Sequence, residues 1–278
     1  MPQVDPECPA ILAAFRRRNI KSLLPSSLAA RDPMYRRAGS SFDLKCIREY
    51  QPFDDPRAID WKLLGRTDRA YVKEFYDEAN EGIAFLVDAS GSMTGAEGYR
   101  EFISSLGFLL LGLGLSVSVW AYADGLAGPR LSLRNRGAHR RLSEALDGME
   151  TGGRTDTARA WRQLRAASPL RRVFVFSDFH EAGFRPPPPG AGRVFLVRFR
   201  LPFSRLAQAG TELEVTDPET GSVITLPWDR VEERAWDEAE AMREAGLRSG
   251  GPRSSYIRLD PGESRAPAYW EILERLHA

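Results

Sequence analysis

Segments 83–87 (Ile-Ala-Phe-Leu-Val) and 173–177 (Val-Phe-Val-Phe-Ser) are short, almost unbroken apolar runs, and each stops at an aspartate, Asp88 or Asp178. Runs of this length without alternation read as strands buried on both faces, as in a parallel sheet covered by helices. Residues 194–199 predict a further strand. Residues 102–123 carry no charge and are long enough to suggest a membrane span. Gly107, Gly112 and Gly114 lie inside that stretch with Ser104, Ser105, Ser116 and Ser118. The pattern resolves better into a buried helix over 99–111, a turn at 112–114 and a strand over 115–122, where Val117 and Val119 alternate with serines. A hairpin-like return follows over 121–133. Helices are predicted over 139–148 and 157–167, with Asp156 or Thr155 capping the second.

Toward the N-terminus, residues 10–24 have helical periodicity, with Arg16, Arg17, Arg18 and Lys21 on a solvated basic face. Residues 42–61 are rich in turn chemistry, and 69–75 alternate like an edge strand. Toward the C-terminus, the run Arg185-Pro-Pro-Pro-Pro-Gly190 excludes helix and reads as a stiff extended spacer. Residues 213–216 and 223–226 flank Asp217-Pro-Glu-Thr-Gly221 and predict a hairpin. Asp229 caps a charged helix running to about residue 245, and 268–276 form a short amphipathic helix.

Oxygen donors concentrate in three segments: Asp88-Ala-Ser90-Gly-Ser92, Thr155-Asp156-Thr157 and Ser177-Asp178. In an open parallel sheet, ligands gather beyond the carboxyl ends of the strands. Two carboxylates, two serine hydroxyls and a threonine hydroxyl would meet there. An all-oxygen set suits Mg²⁺, Mn²⁺ or Ca²⁺ rather than zinc or copper. Mg²⁺ keeps part of its water shell, which leaves positions for a partner carboxylate. Two like charges ~4 Å apart repel by roughly 4 kcal/mol at an effective dielectric of ~20. If Asp88 and Asp178 end adjacent strands, a cation offsets that cost.

Other chemistry-bearing residues read as structural. Asp54, Asp55 and Asp60 fit a turn stabilised by Arg57 better than a second metal site, with Tyr50 and Trp61 as core or subdomain contacts. His180 reads as an exposed loop residue. The frame around Ser90 and Ser92 is not Gly-x-Ser-x-Gly, and neither a phosphate-binding loop nor a dinucleotide fingerprint is present.

Asp88-x-Ser90-x-Ser92-Met93, Gly152-Gly153-Arg154-Thr155-Asp156 and Phe176-Ser177-Asp178 resemble the metal-ion-dependent adhesion site of von Willebrand factor A domains. The resemblance implies Ser90, Ser92 and Thr155 as metal ligands, with Asp88 and Asp178 supporting directly or through water. Arg154 separates the glycine pair from the threonine, so Thr157 stands as the alternative to Thr155. Thr155 is preferred because Thr-Asp follows the glycines, as in the family pattern. The segment from Arg48-Glu-Tyr50-Gln-Pro52 through Asp54-Asp55-Pro-Arg57 to Asp60-Trp61 resembles the signature of the bacterial "domain of unknown function 58" family. Members place it just before a von Willebrand A-like domain. The likeness spans roughly residues 36–178, with a weaker echo at 213–221. Members often accompany MoxR-type AAA+ ATPases, which implies an adaptor or substrate-recruiting role.

Composition narrows the partners. Lys and Arg total 39 against 38 for Asp and Glu, a formal net charge of +1. That gives no electrostatic case for nucleic acid or an anionic membrane. The two cysteines, Cys8 and Cys46, lack metal-type spacing and point to a reducing, cytoplasmic setting. Met1-Pro-Gln-Val-Asp5 has no signal-peptide character.

The expected fold is α/β, with a doubly wound, mostly parallel, von Willebrand A-like or Rossmann-like sheet. It occupies 81–278, with a small N-terminal helix and signature segment over 1–80. The expected function is a non-catalytic, Mg²⁺-dependent protein-binding module with no membrane span, whose metal, held by Asp88, Ser90, Ser92, Thr155 and Asp178, accepts a partner's Glu or Asp. Two alternatives use the same cluster: a metal-dependent hydrolase or phosphotransferase, and a scaffold in which the metal is purely structural.

Overall fold

The structure, a computed structural model, describes residues 4–18, 38–50, 59–67, 69–76, 82–96, 98–133, 136–167, 172–181, 184, 192–200, 211–251 and 253–277. It divides into a larger unit, Met1–Leu23 with Gly82–Ala278, and a smaller one, Leu24–Glu81. Helix α1 (Cys8–Arg18) buries Cys8, Ile11, Leu12 and Phe15 in the core of the larger unit. By its place in the sequence this helix falls within segment 1–80. Its apolar stripe at helical spacing places it with the larger core instead.

In the smaller unit, β1 (Ala38–Glu49) pairs antiparallel with β2 (Tyr71–Tyr76) through an irregular register at Gly39/Leu44 and Leu44/Cys46. Between them lies helix α2 (Trp61–Thr67), where Asp60 Oδ1 accepts a hydrogen bond from the Leu63 N–H at 3.2 Å. The turn chemistry of 42–61 therefore conceals the end of a strand and the start of a helix. Trp61 is not a core residue, being 65% exposed. Asp54, Asp55 and Arg57 lie outside the described residues, as does the proline run at 185–190.

The larger unit is built on a six-stranded sheet with the order β10-β7-β6-β3-β4-β5. Its strands are β3 (Ile83–Asp88), β4 (Val117–Tyr122), β5 (Leu126–Leu133), β6 (Arg172–Ser177), β7 (Arg193–Phe199) and β10 (Ser254–Leu259). All neighbours run parallel except the edge pair β4–β5. A separate antiparallel hairpin joins β8 (Thr211–Thr216) to β9 (Val223–Trp228).

Every residue of β3 is buried, and alternation along it divides the core. Ile83, Phe85 and Val87 face α1, α3 (Tyr99–Gly112), α4 (His139–Asp147) and α7 (Ala266–His277). Ala84 and Leu86 share the opposite cluster with Ala160, Trp161 and Leu164 of α5 (Thr157–Ala167) and Leu247 of α6 (Arg230–Arg248). With helices on both faces, the unbroken apolar run of β3 has no solvent side. Gly107 explains how α3 and α4 approach closely: a Cβ there would meet Leu142 Cδ2 at 2.1 Å.

The uncharged stretch 102–123 is the body of α3, a turn and β4. No helix among the described residues is long and apolar enough to cross a membrane. Strand β10 and helix α2 were not foreseen from the sequence.

Candidate metal centre

Strands β3 and β6 are hydrogen-bonded neighbours, so the sheet delivers Asp88 and Ser177-Asp178 to the same edge. Backbone bonds then pin three loops together. The Ala89 N–H donates to the Tyr122 carbonyl at 2.8 Å, and the Gly152 N–H donates to the Ala89 carbonyl at 2.8 Å. The Gly91 N–H returns to the Gly153 carbonyl at 3.1 Å, and the Asp156 N–H reaches the Ala123 carbonyl at 2.8 Å. Gly153 turns the chain at φ +76°, a conformation that favours glycine.

Asp88 is fully buried. Its Oδ1 accepts from the Ser90 N–H at 2.9 Å, and its Oδ2 accepts from the Ser177 hydroxyl at 2.6 Å and the Tyr122 hydroxyl at 3.5 Å. Burial pushes its carboxyl up to about 7, against the opposing hydrogen bonds from Ser177 and Ser90, and the charge of Asp178 adds to the rise. Burial and the neighbouring Asp88 likewise raise Tyr122, keeping its hydroxyl protonated. The Ser90 and Ser92 hydroxyls lie 3.1 Å apart.

Asp178 is 1% exposed and differs from Asp88 in one respect. Its Oδ1 accepts from the His180 N–H at 3.0 Å, but its buried Oδ2 has no hydrogen-bond partner. The following residue, Phe179, sits in the left-handed region at φ 53°, and its N–H donates to the Ser177 hydroxyl at 3.0 Å. For a bulky side chain that conformation costs on the order of 1–3 kcal/mol. Burial of Phe179 against Phe184 holds the turn in place.

Thr155 and Thr157 have different roles. Thr157 opens α5, is buried, and places its hydroxyl 3.1 Å from the Tyr122 hydroxyl, while its N–H donates to Glu181 Oε2 at 3.1 Å. Asp156 caps that helix by accepting from the Arg159 N–H at 2.7 Å. The Thr155 hydroxyl instead donates to Glu219 Oε1 at 2.7 Å, and its N–H donates to the same oxygen at 3.2 Å. Glu219, at the tip of the β8–β9 hairpin, was not foreseen as part of this cluster.

His180 is not the exposed loop residue expected. Its side chain is 23% exposed and lies 3.3 Å from Arg198 Nη2 and 3.5 Å from Glu240 Oε1. Arg198, itself 1% exposed, donates from Nε to the Asp178 backbone carbonyl at 3.0 Å and from Nη2 to Glu240 Oε2 at 2.6 Å.

Hydroxyls and a backbone N–H meet Asp88, one backbone N–H meets Asp178, and neither aspartate forms an ion pair among the described residues. Among those residues no group of three or more His, Cys, Asp or Glu side chains could hold a metal. Any ion here would therefore draw on Ser and Thr oxygens beside at most two carboxylates, an all-oxygen set that suits a hard cation. The bare Asp178 Oδ2 fits such an ion, because a buried unpaired carboxylate is costly until a charge meets it.

A mostly parallel α/β sheet with buried acidic residues beyond its strand ends defines the broad class. The chain belongs to the family described as "Protein of unknown function DUF58", which matches residues 46–245. No curated protein matches significantly. Solved structures similar to the chain include the conserved hypothetical protein BatB from Bacteroides thetaiotaomicron, at 13% identity and TM-score 0.39, covering 70% of this chain and 96% of that one. Another is an aerotolerance-related membrane protein from Bacteroides fragilis, at 15% identity and TM-score 0.39, covering 70% and 98%. At those values neither likeness bears on fold or function.

Proposed function

We propose that the larger unit is a von Willebrand A-like, divalent-metal-dependent protein-binding module rather than an enzyme. The observation that carries this reading is the buried Asp178 Oδ2, left without a hydrogen bond beside a second buried carboxylate. Ser90, Ser92 and Thr155 would hold the ion, with Asp88 and Asp178 balancing its charge. Asp88 already orients the Ser90 loop through the Ser90 N–H, and the Gly152-Gly153 loop brings Thr155 to the same edge. The bound Mg²⁺ would supply positive charge and a coordination position for a carboxylate oxygen. Thr157 is the weaker candidate ligand, because its hydroxyl is engaged with Tyr122 inside the core.

The resemblance of the signature segment and adhesion-type motifs to the family makes a MoxR-type AAA+ ATPase the partner to test. The chain should capture such an ATPase with Mg²⁺ present. It should release it on chelation and fail to capture it as Ser92→Ala. Capture that persists under both changes would contradict a metal-centred docking role.

A further inference from the structure

The β8–β9 hairpin does not join the six-stranded sheet, yet its tip reaches the candidate metal centre. Two independent contacts place it there. Glu219 Oε1 accepts two hydrogen bonds from Thr155, one from the hydroxyl and one from the backbone N–H. On the other side of the cluster, a Cβ added to Gly91 would meet the Pro218 carbonyl oxygen at 2.1 Å and the Glu219 N at 3.2 Å. Gly91 lies between Ser90 and Ser92, so the tip packs directly on the backbone that carries both serines.

The tip is also stiffened. Asp217 Oδ1 accepts from the Glu219 N–H at 2.9 Å, and Asp217 Oδ2 accepts from the Thr220 hydroxyl at 2.5 Å. Gly221 closes the turn at φ +73°, with its N–H donating to the Asp217 carbonyl at 2.8 Å. Five of the six residues of β9 are exposed, and Trp228 at its base is buried. The hairpin is thus anchored at its base and carries one acidic side chain to the site.

We infer that Glu219 is the chain's own carboxylate ligand for the metal, filling in cis the position that a partner's Glu or Asp would take. The inference rests on the metal-site reading above. Thr155 can serve both groups, its hydroxyl proton going to Glu219 and its lone pair remaining for the ion. An internal carboxylate on a short tether acts at an effective concentration on the order of millimolar. A partner must therefore displace the hairpin, and its apparent affinity falls with the fraction of molecules in which the tip is lifted. The site is closed at rest and opens when the hairpin moves.

The test is Mn²⁺ binding followed by electron paramagnetic resonance, together with water-proton relaxation of the bound ion. Wild type is compared with Glu219→Gln, with Gly91→Ala and with Glu214→Gln, an exposed carboxylate on the same hairpin. Removing one carboxylate lowers the ligand charge of an oxygen site, so Glu219→Gln should weaken Mn²⁺ by roughly tenfold or more. Its relaxation per bound Mn²⁺ should rise as water replaces the lost oxygen. Gly91→Ala, which pushes the Pro218 carbonyl away while keeping Glu219, should give the same rise, and Glu214→Gln should match wild type. Unchanged affinity and relaxation in both Glu219→Gln and Gly91→Ala would overturn the inference while leaving the metal site standing. No Mn²⁺ binding in wild type or in Glu219→Gln would overturn both.

Discussion

Two buried polar sites lie side by side at the edge of one sheet, and the chain treats their charge in opposite ways. Arg198, next to last in β7, lies opposite Ser177 of β6, and it is met by Glu240, His180 and the Asp178 carbonyl. Its charge is balanced from within. One strand away, Asp88 is met by hydroxyls and a backbone N–H and Asp178 by a single backbone N–H, with no ion pair among the described residues. Hydrogen bonds alone do not offset burial there, which is why Asp88 titrates far above the ordinary carboxylate range, at about 7. The difference separates a site whose charge is balanced within the chain from one that, in the function proposed above, a cation would complete.

That contrast breaks most sharply at Arg198. Arg198→Met takes from Glu240, whose side chain is 12% exposed, one of its two arginine partners and leaves Arg243, and should cost about 2–3 kcal/mol of unfolding free energy in denaturant titrations. The aspartate pair should respond to metal instead. Saturating wild type with Mg²⁺ at ten times its dissociation constant should add about 1.4 kcal/mol, and Asp178→Asn should abolish the gain. In chelator, Asp178→Asn should stay within about 1 kcal/mol of wild type or exceed it, because it removes a like charge and keeps the oxygen that accepts from His180. Equal losses for Arg198→Met and Asp178→Asn in chelator would erase the distinction between the two sites.

A third polar site, away from both, sharpens the comparison with the smallest effect. His139 Nε2 lies 3.0 Å from the Ser104 hydroxyl, which is itself 2.9 Å from the Ser143 hydroxyl. Burial holds the His139 imidazole below its usual value of 6.5. The unfolded chain therefore binds the proton more readily, and this contribution to stability, present above pH 6.5, is lost as pH falls below it. The raised Asp88 carboxyl contributes the opposite slope in both proteins, so the stability difference between wild type and His139→Gln, measured against pH, should show that decline.

Much of this arrangement was legible in the pattern of the chain. The apolar runs ending at Asp88 and Asp178 are β3 and β6, and α5 has the predicted bounds, because fully buried strands and amphipathic helices write their periods plainly. Asp229 caps α6 as its position before a charged run suggested, accepting from the Val231 N–H at 2.7 Å. Strand β10 went unseen because Ser-Ser-Tyr-Ile-Arg-Leu at a sheet edge is neither a clean apolar run nor a clean alternation. Helix α2 was hidden by the turn-forming residues around it.

The site was legible in part. Asp88, Ser90 and Ser92 are close in sequence, and the paired strands explain Asp178. Glu219 lies 64 residues from Thr155, inside a hairpin whose local pattern reports only a turn. Nothing short of the tertiary structure joins the two. Arg198 did leave a trace, a lone charge in Val-Phe-Leu-Val-Arg-Phe, and a buried partner was the inference it called for. His180 gives no such local signal, because its partners Arg198 and Glu240 are distant in sequence.

The most direct test of the central claim is a Mn²⁺ titration read by electron paramagnetic resonance on wild type and Asp178→Ala. A metal site built on Asp178 gives one stoichiometric ion in wild type, displaced by Mg²⁺ and absent from the variant. Equal Mn²⁺ binding by both proteins, or binding by neither, would contradict it.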